Sequence, residues 1–123
     1  MRTISFIIIL LALNCNKTST AKNTYLVGKW MITEFSLLHC NVCPEITFEV
    51  TGNGKIKEPT GKEIFFTYTV DTDSKTITFS INDNFYFSDK IYSYNKQIEG
   101  NLIVLELNSK SGDSYTFTRQ QSK

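Results

Sequence analysis

Chemistry in this 123-residue chain would have to start from three cysteines and one histidine, and their spacing divides them into a lone Cys15 and a tight group downstream. That group, His39-Cys40-Asn41-Val42-Cys43-Pro44, sets two thiols three residues apart. Four chemistries use such a pair. A disulfide suits an oxidising compartment, although closing so short a loop restricts few unfolded conformations and adds little stability. A redox centre of the thioredoxin type needs its first thiol near a helix N-terminus, whereas Pro44 leads straight into the strand-forming residues 45–50. Zinc would use both thiolates and His39, but no second pair completes four-coordination, and neighbours on an extended chain point to opposite sides. Covalent haem needs the histidine after the second cysteine, the reverse of the order here. The expectation is a structural loop closed by a Cys40–Cys43 bond, with His39 an ordinary polar residue and no metal or other cofactor.

General acid and base work needs titratable groups that converge in a pocket. The single histidine lies in a link, and Asp71, Asp73, Asp83, Asp89 and Asp113 fall among turn-forming residues. Asp71-Thr72-Asp73-Ser74-Lys75 lacks the glycine and distal glutamate of a calcium loop. There is no Gly-x-Ser-x-Gly elbow and no glycine-rich phosphate cradle. The chain is therefore expected not to be an enzyme. A formal net charge of +1 gives no global field to attract nucleic acid, which is not expected as a partner.

Cys15 ends a different kind of segment. Arg2 gives a positive start, residues 4–13 are apolar apart from Ser5, and Asn14-Cys15 follows. This is the pattern of a secretory signal. Ten helical residues reach roughly 15 Å, half the ~30 Å of a hydrocarbon core, so the segment is too short to span a bilayer. Because the apolar run stops at a cysteine before the polar residues 16–20, it resembles a bacterial lipoprotein signal, with Leu11-Ala12-Leu13-Asn14-Cys15 as the lipobox. The resemblance implies that Cys15 becomes the first mature residue, carrying a thioether-linked diacylglycerol and an acylated amino group, including chains such as palmitate. Several acyl chains hold a protein on a membrane where one is marginal. Asn14 departs from the usual small residue, as in the relaxed boxes of Bacteroidota. Cleavage after Ala21 is the competing reading, since Ser19-Thr20-Ala21 also offers small residues. The expected organisation is a signal peptide over 1–14, a lipidated N-terminus and flexible tether over 15–24, and one folded domain over 25–123. The acidic run associated with surface export is absent, so the expected location is the cell envelope, on the outer membrane facing the periplasm.

The elements that follow must be strands. Hydrophobic residues at 41% and charged residues at 20% describe a folded globule. Ile, Val and Thr number 33 against two Ala, which disfavours helices. From Trp30 onward apolar residues recur at every second position in short runs. Strands are predicted over 28–34, 45–50, 55–57, 63–70, 76–81, 102–107 and 114–119, with weaker pieces over 85–87, 91–94 and 97–99. Ile46, Phe48 and Val50 share one face, as do Ile64, Phe66, Tyr68 and Val70. Turns of two to five residues join sequence neighbours, so the predicted fold is all-β, an antiparallel up-and-down meander of about eight strands closed into a barrel, which removes exposed edges.

Gly28-Lys29-Trp30 on the first strand and Thr116-Phe117-Thr118-Arg119 on the last resemble the lipocalin family of barrels. The resemblance implies that Gly28 and Trp30 close one end and that Arg119 packs over the indole, a cation–π contact. Lipocalins are longer and carry a central Thr-Asp-Tyr motif that is missing here, so the likeness is nearer to the small lipocalin-like domains of bacterial lipoproteins. The resemblance implies a non-catalytic binding module for a small apolar ligand. The best lining for one is Phe66, Tyr68, Phe85, Phe87, Tyr92 and Tyr94, since tyrosines join apolar area to a polar tip. An eight-stranded barrel is just wide enough to be filled by side chains or to hold one small molecule. With Phe48, Phe66, Phe79, Tyr115 and Phe117 predicted inward, a filled barrel acting as a structural or protein-interaction module of the envelope is the alternative.

Overall fold

A computed structural model describes residues 26–35 and 38–121, the side chains of Leu38 and His39 excepted. Cys15 and the predicted signal and tether lie outside the described residues. Among the described residues nine strands run β1 (Gly28–Phe35), β2 (Leu38–His39), β3 (Glu45–Phe48), β4 (Asn53–Lys57), β5 (Glu63–Asp71), β6 (Thr76–Ile81), β7 (Ile91–Glu99), β8 (Leu102–Asn108) and β9 (Ser114–Gln120). All pairings are antiparallel between neighbours, and β1 also pairs β9, so eight of the strands form a closed ring. The period-two alternation makes this arrangement: inward residues Ile46 and Phe48, Phe66 and Tyr68, Ile77 and Phe79, Leu105 and Leu107, Tyr115 and Phe117 are buried, and the residues beside them are exposed or half-buried, Val104 excepted.

The first and last strands of the ring close it. β1 and β9 pair from Met31↔Thr118 to Phe35↔Tyr115, with a bulge between Ile32 and Glu34 that bends β1 around the ring. The other edge of β1 is shared. Its first half pairs β3 and its last two residues pair β2, so β2 and β3 are one return strand interrupted by the 40–44 loop. The shortest seam within the ring is β6–β7, only Thr76–Thr78 against Ser93–Ile91. Beyond it the Phe79 amide donates instead to the Lys90 carbonyl at 2.8 Å, because the 82–90 loop occupies the gap.

Three sequence readings differ from the structure. Residues 85–87 form no strand, because Asp83 bends the backbone there. Residues 91–99 form one strand rather than two pieces, continuous because β8 pairs along its whole length. Val50 leaves the face of Ile46 and Phe48, since β3 ends at Phe48 and Val50 sits exposed in the turn before Asn53.

Gly54 is required by packing rather than by backbone conformation. A Cβ there would lie 2.4 Å from the Phe66 ring and 2.8 Å from the Thr47 carbonyl oxygen, so the ring can lie on the strand only because the position is bare. Gly54→Ala is expected to lower stability by about 1–3 kcal/mol, the cost of overpacking a rigid core, as a reduced urea midpoint with an unchanged m-value.

Candidate functional site

Two ends and a loop hold the residues with distinctive chemistry. At the end where β1 begins, the Arg119 guanidinium lies 4.1 Å from the centre of the Trp30 ring. Trp30 Nε1 donates to the Leu26 carbonyl at 2.9 Å, and Arg119 Nη1 donates to the Val27 carbonyl at 2.9 Å. The incoming chain is thus tied across the barrel floor by both side chains. Gly28 has φ 120° and would set a Cβ 2.9 Å from Arg119 Nη1, so glycine serves both the backbone and the guanidinium. Partial burial pulls Arg119 below its ordinary pKa through lost hydration.

The opposite end is closed by the 82–90 loop. Asp83 Oδ2 accepts the amides of Phe85 and Tyr86, both at 2.9 Å, which turns the chain inward. Phe87 then enters the barrel with φ 54° and no exposed surface. Its ring stacks on Phe79 at 3.8 Å between centroids and 4° between planes, and meets Tyr92, Tyr115 and Phe117. A left-handed conformation costs a bulky residue about 1–3 kcal/mol. Burying a phenylalanine is worth about 3–5 kcal/mol by truncation, so packing decides the loop conformation.

Tyrosine hydroxyls bind the loops to one another. Tyr115 Oη accepts the Phe87 amide at 2.8 Å, Tyr92 Oη donates to Asp113 Oδ2 at 2.5 Å, and Tyr86 Oη donates to Glu58 Oε2 at 3.0 Å. Ser109 and Ser111 both donate to Asp89, and these bonds, that from Ser109 first, hold its carboxyl below its ordinary pKa. Burial is the leading cause that raises the pKa of Tyr86, Tyr92 and Tyr115. The Glu58 and Asp113 bonds reinforce it for the first two, and Tyr115 is pushed up to about 12.

Six residues were the expected ligand lining, and the structure distributes them differently. Phe66, Tyr68, Phe87 and Tyr92 are core residues in ring contact with their neighbours, and Tyr68 Oη donates to the Glu49 carbonyl at 2.5 Å. Tyr94 is half-buried. Phe85 stands outside, 58% exposed, edge-on to Phe35 at 5.4 Å and to Tyr86 at 4.9 Å. Phe35 and Glu58 were not singled out in the sequence reading, and Asp83 was read only as a turn residue. The Asp-x-Phe-Tyr order of residues 83–86, a turn carboxylate just before aromatics, is the signal for Asp83, whereas no local signal marks Phe35 or Glu58, which the fold brings to the rim.

Cys40 and Cys43 are joined by a disulfide with Cα atoms 5.3 Å apart. The loop they close projects between β2 and β3, held at its ends by Cys40 N–H to the Thr33 carbonyl at 3.4 Å and Ile32 N–H to the Pro44 carbonyl at 2.9 Å. The bond therefore staples the interruption between β2 and β3. Among the described residues no cluster of His, Cys, Asp or Glu is placed to hold a metal ion, and no helix is long and apolar enough to cross a membrane.

Each raised tyrosine contributes stability that is complete below its unfolded pKa of 10.0 and is lost as pH rises through the folded value, about 12 for Tyr115. Unfolding free energy is expected to decline from about pH 10 upward, with tyrosinate absorbance from these groups appearing only alongside loss of near-ultraviolet circular dichroism. Tyr115→Phe leaves the buried Phe87 amide without its acceptor and is expected to cost about 1–3 kcal/mol in a urea titration. No family model, no curated protein and no solved structure matches this chain.

Proposed function

We propose that this protein is an exported, lipid-anchored interaction module of the cell envelope, which meets a partner with the outside of a filled lipocalin-like barrel. The supporting observation is Phe87. A loop side chain occupies the barrel centre, stacked on Phe79, where a carrier would hold its cargo. Displacing it would forfeit the burial of a whole phenylalanine, about 3–5 kcal/mol, before any ligand contact is made. That weighs against the alternative of a small apolar ligand inside the barrel.

The partner surface in this reading is the rim at the loop end. Phe85 and Phe35 pack edge to face beside Tyr86, whose hydroxyl is held by Glu58. Aromatic anchors set in a rigid frame with a polar border are the usual centre of a protein interface. Cys15 supplies the membrane partner through its lipid, placing the module on the outer membrane facing the periplasm, and no catalytic step is assigned.

Native mass spectrometry of protein extracted from membranes is expected to show acylated Cys15 and no additional small molecule, with Cys15→Ser moving the chain to the soluble fraction. A stoichiometric apolar adduct would establish the carrier reading instead. A photocrosslinker replacing Phe85 is expected to give an envelope-protein adduct that the same group at Ser93, on the outer wall, does not.

A further inference from the structure

The outer wall of β4, β5 and β6 carries a depression that the rim does not include. Its volume is about 740 Å³, and its lining includes Asn53, Lys55, Phe65, Thr67, Ser80 and Asn82. Register explains how these residues meet. Asn53, Thr67 and Ser80 are Cα partners across the three strands, and Lys55 pairs Phe65 in the adjacent row. Asn82 follows β6 at the point where the chain turns into the plug loop. Phe65 breaks the alternation rule: it sits on the wet face of β5, next to the buried Phe66, and is 67% exposed.

The wall has two halves that a ligand must satisfy together. Phe65 offers an apolar ring face. The side chains of Thr67, Ser80 and Asn82 have no hydrogen-bond partner among the described residues, while Lys55 Nζ is held by Glu63 at 3.2 Å. A purely apolar ligand would strip water from these hydroxyl and amide groups and give nothing back, at about 1–3 kcal/mol for each group left unmade. A strongly charged ligand finds one lysine, already paired, and one glutamate, Glu49, which together provide no excess of either sign. What fits is a neutral molecule with a flat face of C–H bonds and a rim of hydroxyls. We propose that this groove binds a saccharide, with a pyranose ring stacked on Phe65 and its hydroxyls bonded to Thr67, Ser80 and Asn82.

The assignment is separate from the rim and holds whether or not Cys15 carries lipid. It is tested on the isotope-labelled full chain by amide chemical shifts, titrated with neutral tetrasaccharides of glucose, mannose and N-acetylglucosamine and, separately, with an unstructured peptide. At least one saccharide is expected to move the amides of Phe65, Thr67, Ser80 and Asn82 and to leave those around Phe85 in place. Phe65→Ala, at a solvent-facing position, is expected to weaken that binding roughly tenfold, the worth of one ring contact, while Phe65→Trp keeps it. The proposal is overturned if no saccharide shifts these amides, if Phe65→Ala binds as well as the parent, or if only the peptide occupies the groove.

Discussion

An eight-stranded ring encloses room for side chains and little else, and the way that room is used sets everything else in the protein. Here aromatic rings use it. Phe48, Phe66, Phe79, Phe87, Tyr92, Tyr115 and Phe117 form one contact network, in which each ring meets another edge to face or stacked. A ligand entering the centre would first have to evict a ring that nothing else can bury, which is why the proposed function is placed on the outside of the barrel.

The same constraint explains the uneven seams. β1 and β9 share four pairs around a bulge and join the first strand of the ring to the last, β7 and β8 share seven, whereas β6 and β7 share only three. The short seam is tolerable because the 82–90 loop repairs it twice. Its backbone takes over a ladder bond through the Lys90 carbonyl, and its Phe87 fills the space that a longer seam would have closed with strand residues. The tyrosine hydroxyls then satisfy the buried polar groups that such an inserted loop brings with it, notably the Phe87 amide. At the other end the Trp30 and Arg119 pair does the equivalent work on the incoming chain, taking up the carbonyls of Leu26 and Val27.

The exposed aromatics are what the core does not explain. Phe65, on the outward side of β5, and Phe85, in the 82–90 loop, are large aromatics left in water. One belongs to the plug loop and its rim, the other to the middle of a wall. They are far more informative than the buried aromatics, whose burial is explained by the core alone.

Strand identity, facing and barrel closure were legible in the residues themselves, because alternation with period two decides which side chains can share a dry face, and short Asn- and Gly-bearing turns leave neighbours no partner but each other. Ile46 and Phe48, Phe79, Tyr115 and Phe117 could be placed inward on that ground alone. The role of 85–87 could not. Local propensity favours a strand for Phe-Tyr-Phe, and only the unfilled volume of the closed ring, together with Asp83 accepting two amides, makes an inward bend more stable. Likewise the bond closing the 40–44 loop was legible, but not the pairing around it: the edge of β1 continues past β3 and takes up Leu38 and His39, so the stapled loop interrupts one return strand. Alternation is a property of each strand by itself, and so it can be read from the sequence; the filling of a shared interior depends on all strands at once, and so it is decided only when the ring closes.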